Sequence, residues 1–213
     1  MRGADDDECA RLIERVRAGD RLAATELLSR NRERLRKMIE LRLDARLQGR
    51  LDTSDVLQDA LLDVASRLDD YVKEPKVPFF LWMRLVAGER LSWLHRHHLG
   101  VKMRDAGREV SLQRAAVPAA SSFALASMLL GAHTSPTHAA VRAERRIRVQ
   151  EALNSLDPID REVLALRHFE QLTPAEAAMV LGLKPDAASK RYIRALKRIK
   201  DLLAGMPGGL EAL

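Results

Sequence analysis

The stretch that most narrows the possible fold is TPAEAAMVLGLKPDAASKRYIRALKRIK, residues 173–200. Thr173 supplies an N-cap oxygen, Pro174 suits a first helical position, and Glu176 can return a bond to the cap amide, so a helix is expected to begin here. Gly182 ends it after about two turns, because glycine enters the left-handed conformation without steric cost. Pro185 then opens a second helix reaching to about Leu203. Along that helix Ala188, Tyr192, Ala195 and Ile199 recur at spacings of four, three and four, which makes one apolar stripe, while Lys190, Arg194 and Lys197 line another face. A short helix, a glycine-containing turn and a longer basic helix outline a helix-turn-helix, whose second helix enters the major groove of DNA. A solvated C-terminal helix would carry similar cations for its dipole, but it would need neither the capping box nor the stripe.

The rest of the chain also reads as helical. Apolar residues at three and four predict helices near 8–18, 21–48, 53–68 and 78–97, with a loop across the two prolines of DDYVKEPKVP, 69–78. Only 4% of the 213 residues are aromatic against 46% hydrophobic, so the core is aliphatic. Residues 99–134 change character: AAVPAASSFALASMLLGAHTS carries no charge and no sustained amphipathic period, which predicts a tether with one short helical piece. Ser135-Pro136 starts a helix to about Asn154, and Asp157-Pro158 starts another to about Phe169. The expected fold is therefore all-α: two small helical domains, 8–98 and 135–205, joined by a flexible linker over 99–134, the second containing the helix-turn-helix.

Charge divides the surface. The formal net charge is +6, and the cations gather in 187–200 and 84–104, two basic surfaces suited to one long anion. Against that background Asp55, Asp59 and Asp63 fall four apart on one helix with Gln58 beside them, an acidic stripe whose like charges cost roughly 0.2–0.5 kcal/mol per pair. A solvated acidic face or a docking surface for a basic partner would both produce it. The single Cys9 reads as a spectator thiol. The opening MRGADDDECA lacks the apolar run of a signal peptide, and FALASMLLGA is about half the length of a membrane span, so a cytoplasmic protein without membrane insertion is expected. HRHH at 95–98 is read as a basic helix end rather than a metal site. No glycine-rich phosphate loop, nucleophile elbow or metal-ligand spacing is present; no enzymatic activity, cofactor or metal is expected.

EALNSLDPIDREVLALRHFEQLTPAEAAMVLGLKPDAASKRYIRALKRIKDLL, 151–203, resembles region four of the extracytoplasmic-function (ECF) sigma factors, specificity subunits of bacterial RNA polymerase. The resemblance implies that this domain reads the minus-thirty-five promoter element, with Ser189, Lys190, Arg191 and Arg194 facing DNA beside Lys197. Lys184 stands where members usually place a Ser or Thr cap. DVLQDALLDV resembles the region-two signature of the helix that docks on the coiled coil of the polymerase's largest subunit; Asp55, Gln58 and Asp59 carry that role over. VPFFLWMRLVAGERLSWLHRHH, 77–98, resembles the following helix, which engages the minus-ten element during strand opening. Phe79, Trp82, Val86 and Trp93 are read as core at helical spacing, leaving Tyr71, Lys73, Lys76 and Arg84 as the expected DNA contacts. The implied partners are core RNA polymerase, promoter DNA and, in many members of the family, a sequestering anti-sigma factor. The alternative is a stand-alone helix-turn-helix regulator that binds duplex DNA without polymerase; it would need neither the acidic stripe nor the aromatic segment.

Overall fold

A computed structural model describes residues 2–47, 51–99, 117–131 and 139–204, all of them helix, turn or loop. In the N-terminal half, α1 (Arg2–Arg17), α2 (Arg21–Arg42), α3 (Thr53–Ser66), α4 (Leu68–Lys73) and α5 (Phe79–Leu99) follow in order. The C-terminal half comprises α6 (Ser122–Leu130), α7 (Ala139–Asn154), α8 (Pro158–Leu164), a π-helical turn (Ala165–Phe169), α9 (Pro174–Leu181) and α10 (Pro185–Ala204).

Helix ends follow local chemistry. Asp20 caps α2 by accepting from the amides of Leu22 and Ala23, and Asp52 caps α3 through Ser54. The α2 helix ends at Arg42, short of the expected 48, because the Asp44 carboxylate accepts from the Arg46 amide and pairs with its guanidinium. That bonding holds Asp44 down to about 2 and turns the chain so that Leu43 and Leu47 face inward. The Asp44 amide donates to His95 Nε2 at 3.4 Å, and burial keeps that imidazole below its ordinary value. The helix expected over 53–68 breaks at Arg67, and the loop expected from 69 begins with α4, which buries Leu68, Tyr71 and Val72. The tether's short helical piece is α6, capped by Ser121; residues 100–116, and the Ser135-Pro136 start, lie outside the described residues.

The two halves pack against each other. The N-terminal core of Leu27, Leu35, Met38, Leu57, Phe80 and Met83 continues into Val163, Leu166, Ala177 and Leu181 from the C-terminal half. In the other direction Leu41 of α2 sits in the C-terminal core with Leu125, Leu153, Leu164 and Ile199. Its carbonyl accepts from the Ser121 amide at 2.8 Å, which ties the tether to α2. The two helical halves are thus in contact through a shared core.

Candidate nucleic-acid and protein interfaces

The helix-turn-helix forms as its punctuation requires. Thr173 and Glu176 complete a reciprocal capping box, and Gly182 closes α9 in the left-handed region at φ 65° and ψ 35°. Ala188, Ala195 and Ile199 are buried with Tyr192 half-buried, and this stripe seats α10 on the C-terminal core. Lys190, Arg194 and Lys197 are exposed along one face, and Arg194 Nε donates to the Lys190 carbonyl at 3.3 Å. Ser189 is half-buried. Arg191 is engaged within its own half: its Nη1 lies 2.6 Å from Asp160 and 4.0 Å from Asp157, both at the start of α8. Three exposed cations within two turns give this face of α10 a run of positive charge.

On α3 the apolar residues Val56, Leu57, Ala60 and Val64 are buried, which turns Asp55, Gln58 and Asp59 outward. Asp63 is placed differently. Arg90 of α5 reaches across and pairs with it at 3.0 Å, passing Asp59 at 3.9 Å. The stripe therefore has a neutralised end at Asp63, an exposed Asp59 at the edge of Arg90's reach, and an open end at Asp55 and Gln58. Leu62, 61% exposed, extends that face. Long-range pairing by Arg90 had no local signature in the sequence.

The segment expected to meet DNA before α5 splits in two. Lys73 and Lys76 are exposed in and after α4 and pair with the neighbouring exposed acids Asp70 and Glu74. Tyr71 is buried: its ring stacks on Trp82 at 4.6 Å and packs against Phe79, its hydroxyl donates to the Val77 carbonyl, and burial pushes it up to about 12. This aromatic group fixes the loop before α5 and presents no free ring face from Tyr71. Trp93, read as core, is instead 46% exposed and stacked on His97.

Arg84 departs furthest from expectation. It is 2% exposed and points into the seam between the halves, where Arg42 of α2 meets it together with Glu162 of α8 and Glu170 after the π turn. Arg84 Nε lies 2.8 Å from Glu170, and its Nη2 lies 3.3 Å from Glu162. Arg42 Nη2 pairs with Glu170 at 2.6 Å and also with Glu162. Glu162 further accepts from the Ala120 amide at 3.0 Å, and Arg34, stacked over Phe80, donates to the Glu170 carbonyl. Burial alone would raise the Glu162 carboxyl, but Arg42 and Arg84 outweigh it and hold the group below its ordinary value; burial lowers Arg84. Arg84 is therefore withheld from solvent and from any DNA in this arrangement. The sequence did hold a signal for the cluster: Arg42 continues the buried series Leu35, Met38, Ile39, and Arg84 falls between Phe80, Ala87 and Leu91, cations on apolar stripes.

Among the described residues there is no group of three potential metal ligands and no helix long and apolar enough to cross a membrane. The family model for Sigma-70, region 4 matches residues 146–199, from within α7 to within α10. The chain is 27% identical over 184 residues to the ECF RNA polymerase sigma factor SigD of Mycobacterium tuberculosis, covering 86% of this chain and 78% of that one. It is 28% identical over 152 residues to the RNA polymerase sigma factor CnrH of Cupriavidus metallidurans, covering 71% and 73%. Among solved structures, CnrH in complex with the cytosolic domain of CnrY is similar at 24% identity and a TM-score of 0.48, with 94% of this chain and 97% of that chain covered. Similarity to SigD over that length runs through both halves, beyond the helix-turn-helix that a stand-alone regulator would share, and together with the region 4 match it supports an ECF sigma factor.

Proposed function

We propose that this sigma factor docks on core RNA polymerase through the exposed residues of the α3 stripe, Asp55, Gln58 and Asp59, and delivers α10 to a duplex promoter element. The division of the surface carries the reading: the exposed acids of α3 and the exposed cations of α10 lie on different halves. One protein cannot serve a basic coiled coil and a DNA backbone with the same charge, and this one separates the two. Ser189, Lys190, Arg194 and Lys197 form the minus-thirty-five contact, with Arg191 reaching phosphate only by leaving Asp160. Lys73 and Lys76 face the minus-ten region; Arg84 joins them only if the halves part. The protein acts in the cytoplasm, without a catalytic site of its own, and an anti-sigma protein is a natural regulator.

Run-off transcription tests the reading. Core polymerase with the purified protein is expected to yield a discrete transcript from a cognate promoter fragment, and neither component alone should do so. A protein that shifts the same duplex equally well without polymerase, and supports no transcript with it, would be the stand-alone regulator instead. For Arg194→Ala, the slope of log affinity against log salt for promoter binding should fall by about 0.9, the share of one phosphate contact. An unchanged slope would remove Arg194 from the backbone contacts.

A further inference from the structure

The outward pole of α3 is apolar rather than acidic. Leu62 follows Asp55 by seven residues, Gln58 by four and Asp59 by three, so at about 100° per residue all four share one face, opposite Val56, Leu57, Ala60 and Val64. Leu62 is 61% exposed, whereas the residues of the opposite face are buried. The next residues toward the end of the helix, Ala65 and Ser66, are exposed and small, so the leucine rises above them as a knob. Single leucines are ordinary on protein surfaces and need no account. This one is set apart by its frame: the same face carries two carboxylates and a carboxamide, and the large apolar side chain lies among them.

Charge decides which occupant suits such a face. A second copy of this chain would set Asp55 and Asp59 against their own equivalents, and DNA would bring phosphates onto the same carboxylates. A partner with cations around an apolar hole satisfies both parts of the face at once. Protein interfaces are commonly built this way, with a few residues in an apolar centre carrying most of the affinity and a polar rim excluding water. Arg90, 3.0 Å from Asp63 and 3.9 Å from Asp59, puts a cation at the α5 edge of the face. A basic partner is thereby steered off that edge and over Leu62.

We infer that Leu62 is the apolar anchor of the polymerase-docking face, seated in a hole between the helices of the basic coiled coil, with Asp55, Gln58 and Asp59 as its rim. The inference rests on the docking proposed above and adds where the affinity resides: the acids steer the encounter and fix the register, and the leucine holds the complex. The two roles differ in salt dependence, because ions screen the rim and leave the apolar contact intact.

Full-length variants are titrated against core polymerase by biolayer interferometry at about 0.1 M and 0.3 M salt, where screening differs. Leu62→Ala is expected to weaken binding about thirtyfold, chiefly through faster dissociation, with the slope of log affinity against log salt unchanged. Asp55→Asn should weaken it less and lower that slope. Leu62→Met, which keeps the apolar volume, should bind within about threefold of the parent. Leu22→Ala, which removes a leucine 78% exposed on α2, should bind as the parent does. Helicity is preserved in Leu62→Ala, since alanine is the best helix former and the position is exposed. Binding by Leu62→Ala within about threefold of the parent, while Asp55→Arg with Asp59→Arg abolishes association, would overturn the anchor and leave the docking face standing. An equal loss in Leu62→Met would overturn the apolar seat, and an equal loss in Leu22→Ala would overturn its location. A parent chain that elutes as a dimer, and a Leu62→Ala variant that elutes as a monomer, would assign the knob to a second copy instead. If neither Leu62→Ala nor the double reversal weakens binding, the docking reading of α3 fails and the anchor fails with it.

Discussion

Reversing Asp55 and Asp59 together, Asp55→Arg with Asp59→Arg, is expected to weaken association with core RNA polymerase about a hundredfold or more, enough to abolish co-purification. Placing like charges against a basic coiled coil costs several kcal/mol, and about 3 kcal/mol is a factor of roughly a hundred. The fold should survive. Both side chains point to solvent from the face opposite Val56, Leu57, Ala60 and Val64, and surface changes of this kind usually stay within about 0.5 kcal/mol. Asp55 sits in the first turn of α3, where a cation loses a further ~0.3–1 kcal/mol against the helix dipole. At 59 the substitution also replaces the 3.9 Å approach of Asp59 to Arg90 by two like charges, a further small cost at a solvent-exposed position. Asp63 is left intact in the variant because Arg90 already holds it. Size-exclusion co-elution with core enzyme, with circular dichroism as the control for folding, measures the effect. Continued co-elution at micromolar concentration would remove the α3 stripe from the docking surface.

Arg42→Ala is expected to have the second-largest effect, and to have it far from either binding surface. It leaves Glu162 and Glu170 sharing Arg84, an excess negative charge in a site where the Glu170 side chain is fully buried. Removing one partner of a buried pair costs about 3–5 kcal/mol. Because the cluster spans a seam, that loss appears as local opening rather than global unfolding. The Ser121 amide, which donates to the Leu41 carbonyl across the same seam, reports it directly. Its hydrogen-exchange protection should fall by roughly a hundred- to a thousandfold, with amides in the middle of α3 unaffected. The pH dependence has a definite sign. The Glu162 carboxyl is lowered in the folded protein from an ordinary 4.5, so its contribution is fully present above that value. It is lost as pH falls through the lower folded value, and protection at Ser121 should decline with it. Equal loss of protection in α3 and at Ser121 would mean that the halves unfold together.

How much was legible in the sequence depended on whether the cause was local. The capping box at Thr173, the left-handed Gly182 and the stripe of α10 are set by residues within a turn or two of each other, and each appears where its spacing requires. The α3 face is legible for the same reason. What escaped were partners brought together by tertiary packing. Arg84 was assigned by its position in a basic segment, although its place among Phe80, Ala87 and Leu91 argued for burial. Tyr71 was expected at a DNA surface, but the helical turn after Arg67 rolls it under Trp82. The Arg90–Asp63 pair joins positions 27 residues apart, and the pair from Arg84 to Glu170 joins positions 86 apart. Neither separation leaves a periodicity to read. The shared core had the same origin, since the helical patterns named the apolar faces without saying which face would cover which.

The π turn at 165–169 carries a consequence for the angular phase of the chain. Its amides reach one residue further back than in an α-helix, with the Glu170 amide donating to the Ala165 carbonyl at 3.0 Å, so one residue is accommodated without advancing the helix by a full α step. A residue added or removed in an α-helix rotates everything beyond it by about 100°. Leu164 and Ala165 can therefore face the C-terminal core while Glu170, a few positions on, faces the seam. Shortening this turn by one residue would leave every side chain of the cluster in the chain and still aim the carboxylate elsewhere: the register of the backbone, as much as the charge, determines whether the two halves meet.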